Sequence, residues 1–427
     1  MPTPSSDGAA RFSLDAIEVV SGRWRDGPKG RVMFCVSTDL LDEGKGDLFV
    51  ALGLARALHG LGWGVSLWPT KRYGEVAPDD VDVAVVMIES FVPGRLDSRT
   101  RAIAWVRNWA ERWAELPYLD EFAAIWCSSD ASAARMAEVY GGPTEVVPIS
   151  VDTSLFSEAA AERRAGVVTT ANFWGVERGI TEALAAVSRE VDVTWFGVNG
   201  RLLKGLGGVG HREAIPYMAL PEVYSEWLVV VDDVIPAAAM YGNQNSRLFE
   251  ALACGAMVVS NTANGLAELG LEAAPSYSGP DDLLEIVTGL VADPEGTARR
   301  ARELQEIVIE RHSTTARACG VDVLLSALGS NAPLRGGPRS PLIQWATRRE
   351  AEHRAVREQF DGLQAAHHEL SQVAALTKLH ADQLEFRLAE CEQQRDAPEV
   401  HSGRLDRLAS APQRAVRWMR RRADDRG

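Results

Sequence analysis

Short apolar runs alternate with segments of helical periodicity along most of the chain, beginning at Arg31. The predicted strands of a first series are RVMFCVS, GVSLWP, VDVAVVMI, RAIAWV and FAAIWCSS. After Asp152 a second series follows, with AGVVTTA, VDVTWFG, WLVVVDD and AMVVSN. Apolar strands separated by helices are typical of parallel sheets that are covered on both faces. The sequence therefore predicts an α/β protein with two doubly wound, Rossmann-like domains in tandem.

With 427 residues, the chain is long enough for two domains that each have a core. The stretch GSNAPLRGGPRSP is rich in Gly, Pro and Ser and is predicted to be a linker. The predicted parts are a flexible N-terminal segment at 1–30, a first Rossmann-like domain at 31–152, a second at 153–328, the linker at 329–341, a coiled-coil helix at 342–395 and a basic tail at 396–427.

Charge and cysteine usage exclude some partners. The chain has 45 Lys and Arg against 59 Asp and Glu, and its formal net charge of -14 repels nucleic acid. Three of the five cysteines lie in apolar patterns that suit buried free thiols, which indicates a reducing compartment and no zinc site. The N-terminus lacks a signal-peptide pattern, and no apolar run approaches the length of a membrane span. We therefore expect a cytoplasmic protein without a nucleic-acid partner.

The segment YGNQNSRLFEALACGAMVVSN is predicted to contain a helix that leads into a buried strand. Apolar residues recur at helical spacing from Leu248 to Leu252, and Gly255 is a natural stop. Asn245 or Ser246 can cap the start of this helix, whose free N–H groups and partial positive charge suit an anion such as phosphate. A capped core helix without a ligand is the alternative interpretation of this stretch alone.

A glycine-bearing loop, DEGKGD, lies between the first strand and a helix predicted over Leu48 to His59, with Asp47 as its N-cap. Ligands of open α/β folds bind at this edge of the sheet, so Gly46 and Asp47 are candidate contacts, with a mere flexible turn as the alternative. A second glycine-rich stretch, KGLGGVG, is followed by HREAIP instead of a helix, so we predict no NAD site.

In AWVRNWAERW, three tryptophans (Trp105, Trp109 and Trp113) recur every fourth residue. A sugar ring could stack on an indole here, although aromatic residues at helical spacing are more often part of a core. Among these tryptophans, Arg107 and Asn108 are candidates for an acceptor side of a site. The neighbouring pair Asp232 and Asp233 has no third ligand in view, so we predict no metal and no bound cofactor.

A heptad pattern follows the predicted linker. Its core positions, spaced alternately four and three residues apart, are Val356, Phe360, Leu363, His367, Leu370, Ala374, Thr377, Ala381, Leu384, Leu388 and Cys391. This spacing indicates a coiled coil and a homodimer, or else a solitary amphipathic helix. The last residues are rich in Arg and include Trp418, so the tail is a candidate for peripheral contact with the inner face of a membrane, or a disordered solubilising tail.

Several motifs taken together resemble the nucleotide-binding domain of GT-B glycosyltransferases, in the retaining family-four type and its spore-maturation-protein-like subgroup. They are VVPISVDTSLF, VERGI, LPEVYSEWLVVVDD, NSRLFEALACGAMVVSN and NGLAELG, in the order of the family. The resemblance spans Arg31 to Leu328 and is looser before Val146. It implies two Rossmann-like domains with a cleft between them, and a nucleotide sugar as co-substrate without a metal.

The resemblance also implies roles for individual residues. Glu250 is the ribose acceptor, and a carboxylate can accept both ribose hydroxyls. Arg247 would stabilise the departing diphosphate with donors from Asn245 and Ser246, and Arg178 stands where the family usually has Lys. The corresponding catalytic set is Glu250, Arg247 and Arg178, and Gly46 joins the donor contacts.

This sequence also departs from the family pattern. The first glutamate of the donor motif corresponds to Gly242, the arginine expected before the Lys-Gly pair falls near Asn172 and Phe173, and a frequent histidine of the first domain has no clear counterpart. We predict a hexosyltransferase that acts on a glycan or glycolipid acceptor in cell-surface polysaccharide synthesis. The alternatives are an inactive scaffold in a glycan assembly complex, and an enzyme that epimerises or phosphorolyses a nucleotide sugar.

Overall fold

The computed structural model describes residues 4–75, 77–158, 164–171, 179–198 and 206–331, together with parts of 349–384. It divides into two compact units, Met1–His353 and Arg354–Gly427. The first unit contains two parallel sheets, which define two lobes.

The first lobe is built on a parallel sheet of six strands in the order β2-β1-β3-β4-β5-β6. Its strands are β1 (Arg31–Val36), β2 (Gly64–Pro69), β3 (Val83–Val86), β4 (Arg101–Val106), β5 (Ala124–Cys127) and β6 (Thr144–Val146). Its helices are α1 (Pro4–Val20), α2 (Gly46–Gly60), α3 (Ala110–Ala114) and α4 (Asp130–Ala137). The central strands are buried along almost their whole length, which explains their uninterrupted apolar sequences.

The second lobe is built on a parallel sheet of five strands in the order β11-β10-β7-β8-β9. Its strands are β7 (Arg164–Thr170), β8 (Val193–Phe196), β9 (Gly210–Arg212), β10 (Trp227–Asp232) and β11 (Met257–Ser260). The helices that follow in the chain are α5 (Gly179–Val187), α6 (Leu220–Glu226), α7 (Pro236–Ala239), α8 (Ser246–Ala253), α9 (Pro280–Ala292), α10 (Pro294–His312) and α11 (Thr314–Asn331). The prediction of two doubly wound α/β domains is confirmed.

All nine predicted strands are present, and the sequence analysis missed β6 and β9. Both are strands of three residues at the edge of their sheet, and most of their residues are exposed or half-buried. A short strand with one solvated face carries no apolar run, so periodicity gives no signal for it.

Residues 4–20, which were predicted to be flexible, form helix α1. Phe12, Ala16 and Val19 lie on one face of this helix and are buried in the core. Asp15 pairs with Arg56 of α2, with 2.8 Å between Oδ2 and Nη2. The helix therefore belongs to the first lobe, and its spacing of i, i+4 and i+7 was the signal that the prediction overlooked.

Helix α11 extends to Asn331, past the predicted boundary at Leu328, and packs on the first lobe although its sequence follows the second. Asp322 accepts hydrogen bonds from Lys29 Nζ and from the indole of Trp63, each at 2.8 Å. Helix α11 thus carries the chain from the second lobe back to the first. The predicted second domain at 153–328 therefore includes a helix that packs on the first lobe.

The second unit is described in part. Residues 356–374 are helical, and their apolar side chains are exposed, among them Phe360, Leu363 and Leu370. Leu388, Cys391 and the basic tail lie outside the described residues. In the described part of the chain, no helix is long and apolar enough to cross a membrane. Cys35, Cys127 and Cys254 are buried free thiols, as predicted, and Cys319 is exposed.

Candidate functional site

Helix α8 ends with a Schellman motif, which explains the sharp turn into β11. Gly255 adopts a left-handed conformation with φ of 75°, and its N–H donates to Leu252 O over 2.8 Å. The N–H of Ala256 reaches back to Ala251 O over 3.0 Å. Together these two bonds satisfy carbonyl groups at the end of the helix. The predicted stop at Gly255 is therefore confirmed.

At its start, α8 differs from the predicted cap. Asn245 occupies the N-cap position with extended backbone, but its side chain makes no capping hydrogen bond. Its Nδ2 atom donates to Asp232 Oδ1 over 2.9 Å and to Asp233 O over 3.1 Å instead. The amide of Asn245 therefore joins the start of α8 to the buried carboxylate at the end of β10. The prediction that Asn245 caps the helix is wrong, and Ser246 is the first helical residue.

Arg247 is held by groups at the carboxyl ends of two strands. Its Nη1 atom contacts the carboxylate of Asp232, which ends β10 and is fully buried. Its Nε atom donates to Thr170 Oγ1 over 3.0 Å, and its Nη2 atom donates to Thr170 O. Burial lowers the pKa of Arg247, but the carboxylate of Asp232 opposes it and the net pKa is raised. The guanidinium is thus fixed in place and keeps its charge.

Glu250 lies one turn further along α8 and is 4% exposed. Its Oε1 atom accepts a hydrogen bond from the hydroxyl of Tyr217 over 3.0 Å. Burial raises the pKa of Glu250 to about 7, although the hydrogen bonds from Tyr217 and Ser246 and the charge of Arg247 each lower it. Near neutral pH this carboxyl group can therefore either hold or release a proton.

The surroundings of Tyr217 come from both lobes. Its ring stacks on Phe49 of α2, with centroids 3.7 Å apart and planes 6° apart, and meets Phe156 edge-on at 5.3 Å. Burial, together with the charge of Glu250, raises the pKa of Tyr217 well above its ordinary value, so its hydroxyl stays a donor. This aromatic cover keeps water away from one side of Glu250.

Gly242, where the family has a glutamate, cannot easily hold a side chain. Its φ is 69°, and an added Cβ would lie 3.0 Å from the backbone of Gly265. Gly265 is also left-handed, and a Cβ there would lie 2.0 Å from Gly242 O. The two backbones touch, so the loop before α8 closes directly on the loop after β11.

At the carboxyl edge of the first sheet, Asp47 was predicted to cap α2. The helix begins at Gly46 with Lys45 in the N-cap position, and no side chain makes the capping bond. The carboxylate of Asp47 instead accepts from Ser37 N over 2.6 Å and from Ser37 Oγ over 2.7 Å. Asp47 thus ties the end of β1 to α2, and the predicted cap is wrong.

Arg107, directly after β4, lies at the same edge. Its Nη2 atom donates to Met87 O over 3.2 Å, and its Nε atom is buried without a partner among the described residues. Burial lowers the pKa of Arg107, while the charges of Asp47 and Glu89 oppose this. Asn108, the next residue, is half-buried.

The three tryptophans do not share one helix. Trp105 lies in β4 and donates to Val147 O over 2.9 Å, and Trp113 is buried in α3, so both belong to cores. Trp109 is half-buried with φ of 55°, and the guanidinium of Arg112 lies 3.8 Å from its ring centroid. The prediction of core tryptophans holds for Trp105 and Trp113.

The lobes meet at a cluster of hydroxyl groups. Asn243 Oδ1, just before α8, accepts hydrogen bonds at 2.8, 2.7 and 3.0 Å from Ser128, Ser129 and Ser132 respectively. The Nδ2 atom of Asn243 is buried without a partner among the described residues. This cluster connects the carboxyl end of β5 with the loop that leads to Glu250, so this edge of the first sheet lies against the loop before α8.

Not every predicted residue can be placed. Arg178, Asn172 and Phe173 lie outside the described residues. Within the described part, no group of three or more His, Cys, Asp or Glu residues is arranged to hold a metal ion. The structure brings Asn245, Ser246, Arg247 and Glu250 together on α8, with Gly46, Asp47, Arg107 and Asn108 at the edge of the first sheet.

Tyr217, Thr170 and Asp232 contact the predicted site residues but were not predicted as part of a site. Asp232 drew attention only as half of a possible metal pair, and its partner is the Arg247 guanidinium. Tyr217 lies in a short 3-10 turn, Tyr217–Ala219, after Pro216. A single tyrosine in a turn has no periodic signal that could have marked it.

The fold, as two doubly wound lobes joined by a chain that returns to the first, is that of GT-B glycosyltransferases. Residues 163–320 match the model of a family described as glycosyl transferase-like. The second lobe therefore resembles a glycosyl transferase-like domain, in the region where the sequence motifs indicated one. The sequence finds no match among curated proteins.

Solved structures resemble the chain over most of its length. Sucrose-phosphate synthase from Thermosynechococcus elongatus has a TM-score of 0.56 at 14% identity, covering 70% of this chain and 98% of its own. Anabaena HepE in complex with UDP-glucose has a TM-score of 0.54 at 14% identity, covering 69% and 99%. A glycosyltransferase involved in avilamycin A biosynthesis has a TM-score of 0.52 at 17% identity, covering 71% and 99%. At such identities the likeness concerns the fold.

Proposed function

We propose that the protein transfers a sugar from a nucleoside diphosphate sugar to a glycan, glycolipid or related acceptor. The donor binds to the second lobe at the start of α8, and the acceptor binds to the edge of the first sheet. The observation that carries the proposal is Glu250, a buried carboxyl group one turn beyond Arg247 at the start of a helix on a GT-B fold. Tyr217 and Ser246 already donate to this carboxyl group, and its remaining acceptor positions suit two ribose hydroxyls.

Each donor contact has a stated role in this proposal. Glu250 accepts the ribose hydroxyls, and the helix start at Asn245 and Ser246 faces the diphosphate. Arg247 has two N–H groups left beyond its three hydrogen bonds and stabilises the charge that develops on the departing diphosphate. Arg178 adds a second positive charge, and Gly46 lets the first lobe approach the donor.

The acceptor side is formed by Asp47, Arg107 and Asn108 in this proposal. We further propose that transfer is of the hexosyl type, requires no metal and retains the anomeric configuration, as in the family that the motifs resemble. HepE is described with UDP and with UDP-glucose, which supports the choice of UDP-sugars as first donors to test. A role in cell-surface polysaccharide synthesis in the cytoplasm, at the inner face of the membrane, fits a basic tail after residue 396.

We propose that the exposed apolar face of residues 356–374 pairs with a second copy of the chain. Leu363 and Leu370 are 69% and 68% exposed and recur seven residues apart, as equivalent positions of a heptad do. Ala374, the next core position after Leu370, is small enough for close helix packing. The coiled coil would then hold two transferase bodies together.

A scaffold that has lost catalysis is the main rival. Its support is Gly242, which stands in place of an acidic residue and whose left-handed backbone would be strained by any side chain. A nucleotide-sugar epimerase is a second rival on the same fold.

Mass spectrometry of a nucleotide sugar incubated with the protein separates the three functions. With a panel of acceptor sugars and lipid phosphates, a transferase produces nucleoside diphosphate and a glycosylated acceptor. An epimerase changes the sugar without any acceptor. If every nucleotide sugar returns unchanged with every acceptor, the scaffold is the correct function.

A further inference from the structure

Arg107 lies close to the contact between the lobes. It follows β4 directly, and its carbonyl oxygen accepts a hydrogen bond from Ser128 Oγ over 3.1 Å. Ser128 also donates to Asn243 Oδ1 of the second lobe over 2.8 Å. One serine therefore separates the backbone of Arg107 from the loop that leads into α8.

The guanidinium of Arg107 has few partners. Its Nη2 atom donates to Met87 O over 3.2 Å, whereas its Nε atom is buried with no acceptor among the described residues. Its Nη1 atom makes no hydrogen bond within the described part of the chain and is not among the fully enclosed atoms, so it reaches solvent. The side chain thus keeps N–H groups available to a ligand at the carboxyl edge of the first sheet.

The two carboxylates that influence Arg107 are engaged elsewhere. Both oxygens of Asp47 accept from Ser37, at 2.6 and 2.7 Å. Glu89 pairs with Arg112 at 3.4 Å. No ion pair to Arg107 forms among the described residues, so the charge of this half-buried side chain has no countercharge, which is an unfavourable arrangement.

A second arginine, Arg101, lies at the opposite end of β4. Arg101 starts the strand, and its Nε atom is also buried without a partner among the described residues. Arg101 lines a pocket of about 670 Å³ whose wall includes Asp79, Asp80 and Asp82. Asp80 and Asp82 are themselves engaged by Arg31, so Arg101, like Arg107, forms no ion pair among the described residues and is a matched control.

The backbone beside Arg107 is strained. Trp109, two residues on, has φ of 55° and is the one non-glycine residue with a positive φ in the described part of the chain. A tryptophan in the left-handed region is unfavourable, and such strain persists mainly where a site requires a particular geometry. The turn ends β4 abruptly and leaves Arg107 at the edge of the sheet.

We infer that Arg107 binds a phosphate group of a ligand in the junction between the lobes. A guanidinium matches phosphate oxygens with parallel N–H donors, and a ligand anion would supply the missing countercharge. This inference rests on the proposed function only in taking the junction as a transferase cleft. The phosphate belongs either to the donor diphosphate or to a phosphorylated acceptor.

Inorganic pyrophosphate is the probe that tests Arg107, because it needs neither a nucleotide site nor an acceptor. Calorimetry is run on the full chain, on Arg107→Gln and on the matched control Arg101→Gln, which removes the same charge from the other end of β4. We expect pyrophosphate to bind the wild type and Arg101→Gln equally, and Arg107→Gln about 10-fold or more weakly. Arg107→Lys should bind with intermediate affinity, since it keeps the charge but not the fork.

Unfolding by urea accompanies the titrations. Removal of an unpaired, half-buried charge should leave Arg107→Gln at least as stable as the wild type, so lost binding cannot be ascribed to misfolding. Equal pyrophosphate affinity in Arg107→Gln and the wild type, or no binding by the wild type, overturns the inference.

Repeating the pyrophosphate titration in saturating UDP shows whether Arg107 binds the donor diphosphate or the phosphate of an acceptor. If UDP displaces pyrophosphate, Arg107 binds the donor diphosphate. If pyrophosphate still binds beside UDP, it occupies the position of an acceptor phosphate. If no nucleotide binds but pyrophosphate binding requires Arg107, the proposed function fails while the phosphate site stands.

Discussion

The hydroxyl of Tyr217 donates a hydrogen bond to Glu250 Oε1 over 3.0 Å, and the carboxyl group it contacts is almost completely buried. Tyr217 in turn stacks on Phe49 of the first lobe. The residue that is proposed to bind ribose therefore has one oxygen occupied by a residue whose position depends on both lobes.

Glu250 gives the protein a predictable pH dependence. Its pKa of about 7 in the folded state lies above the ordinary value of 4.5, so the folded state retains a proton that the unfolded state releases in that interval. The contribution of Glu250 to stability is therefore most favourable below about pH 4.5 and declines as the pH rises to about 7. Across this interval, we expect the free energy of unfolding of Glu250→Gln to rise relative to that of the wild type by roughly 3 kcal/mol, with little further change at higher pH.

Urea unfolding of both proteins at several values between pH 5 and pH 8 measures that difference. Tyr217→Phe is the companion variant, because it keeps the stacked ring but removes the hydrogen bond that lowers the pKa of Glu250. The stability of Tyr217→Phe should continue to decline up to a higher pH than the stability of the wild type, because loss of this hydrogen bond raises the pKa of Glu250. A difference between Glu250→Gln and the wild type that stays constant with pH would show that Glu250 is ionised throughout.

The nucleotide sugar that binds should bind more tightly at pH 8 than at pH 6, by about 10-fold, because ribose hydroxyls donate to the ionised carboxylate. A nucleotide sugar is the suitable ligand, since its diphosphate does not titrate in this range. Calorimetry at the two values tests this, with Glu250→Gln as the control that should show no such change. Equal affinity in the wild type at both values contradicts the role of Glu250.

Replacing Gly242 with the glutamate of the family's donor motif should destabilise the protein without increasing its activity. Gly242→Glu places a side chain on a left-handed backbone and a Cβ at 3.0 Å from Gly265, so we expect a loss of about 1–3 kcal/mol in the free energy of unfolding and no gain of activity. Met240→Glu is the control, because Met240 is 67% exposed and two residues away. A Gly242→Glu protein with wild-type stability and increased turnover would show that the loop accepts an acidic side chain.

Asp232 and Arg247 form a pair that should be strongly coupled. Asp232→Asn removes the buried countercharge of Arg247, and we expect it to cost about 3–5 kcal/mol of stability. The double variant Asp232→Asn with Arg247→Met should recover a large part of this lost stability, because the uncompensated cation is gone. Urea unfolding measures all three proteins. A cost below about 1 kcal/mol for Asp232→Asn would mean that another acid neutralises Arg247.

The heptad of the second unit can be tested in solution. A chain that ends at Asn331, and the full chain with Leu363→Asp and Leu370→Asp, should sediment as monomers, whereas the wild type sediments as a dimer. Val323→Asp is the control, since Val323 is 67% exposed but lies on α11 of the first unit. Monomeric wild-type protein in analytical ultracentrifugation would show that the apolar face does not pair with itself.

The fold was largely predictable because buried parallel strands have nearly continuous apolar sequences. RVMFCVS and AMVVSN each became a strand at the predicted place, and the glycine stop at Gly255 followed from its left-handed backbone. The edge strand β6 was missed because it has little buried surface. Helix α1 was missed because it was judged by its position at the terminus instead of its apolar face.

The site was predictable only as far as its helix. Local spacing favours caps at Asn245 and Asp47, but in the structure the amide of Asn245 donates to Asp232, and the carboxylate of Asp47 accepts from Ser37. The contact between Tyr217 and Glu250 joins residues far apart in the sequence, and no spacing rule relates them. Long-range polar pairs of this kind become visible only once the chain is folded.

Calorimetric titration of UDP-, GDP-, ADP- and dTDP-sugars tests the central claim most directly. It compares the wild type with Glu250→Ala and with Glu285→Ala, a control on the exposed face of α9. We predict micromolar binding of one nucleotide sugar by the wild type and Glu285→Ala, weakened at least about 10-fold in Glu250→Ala. Binding of no nucleotide sugar, or equal binding by Glu250→Ala, would contradict a donor site at α8.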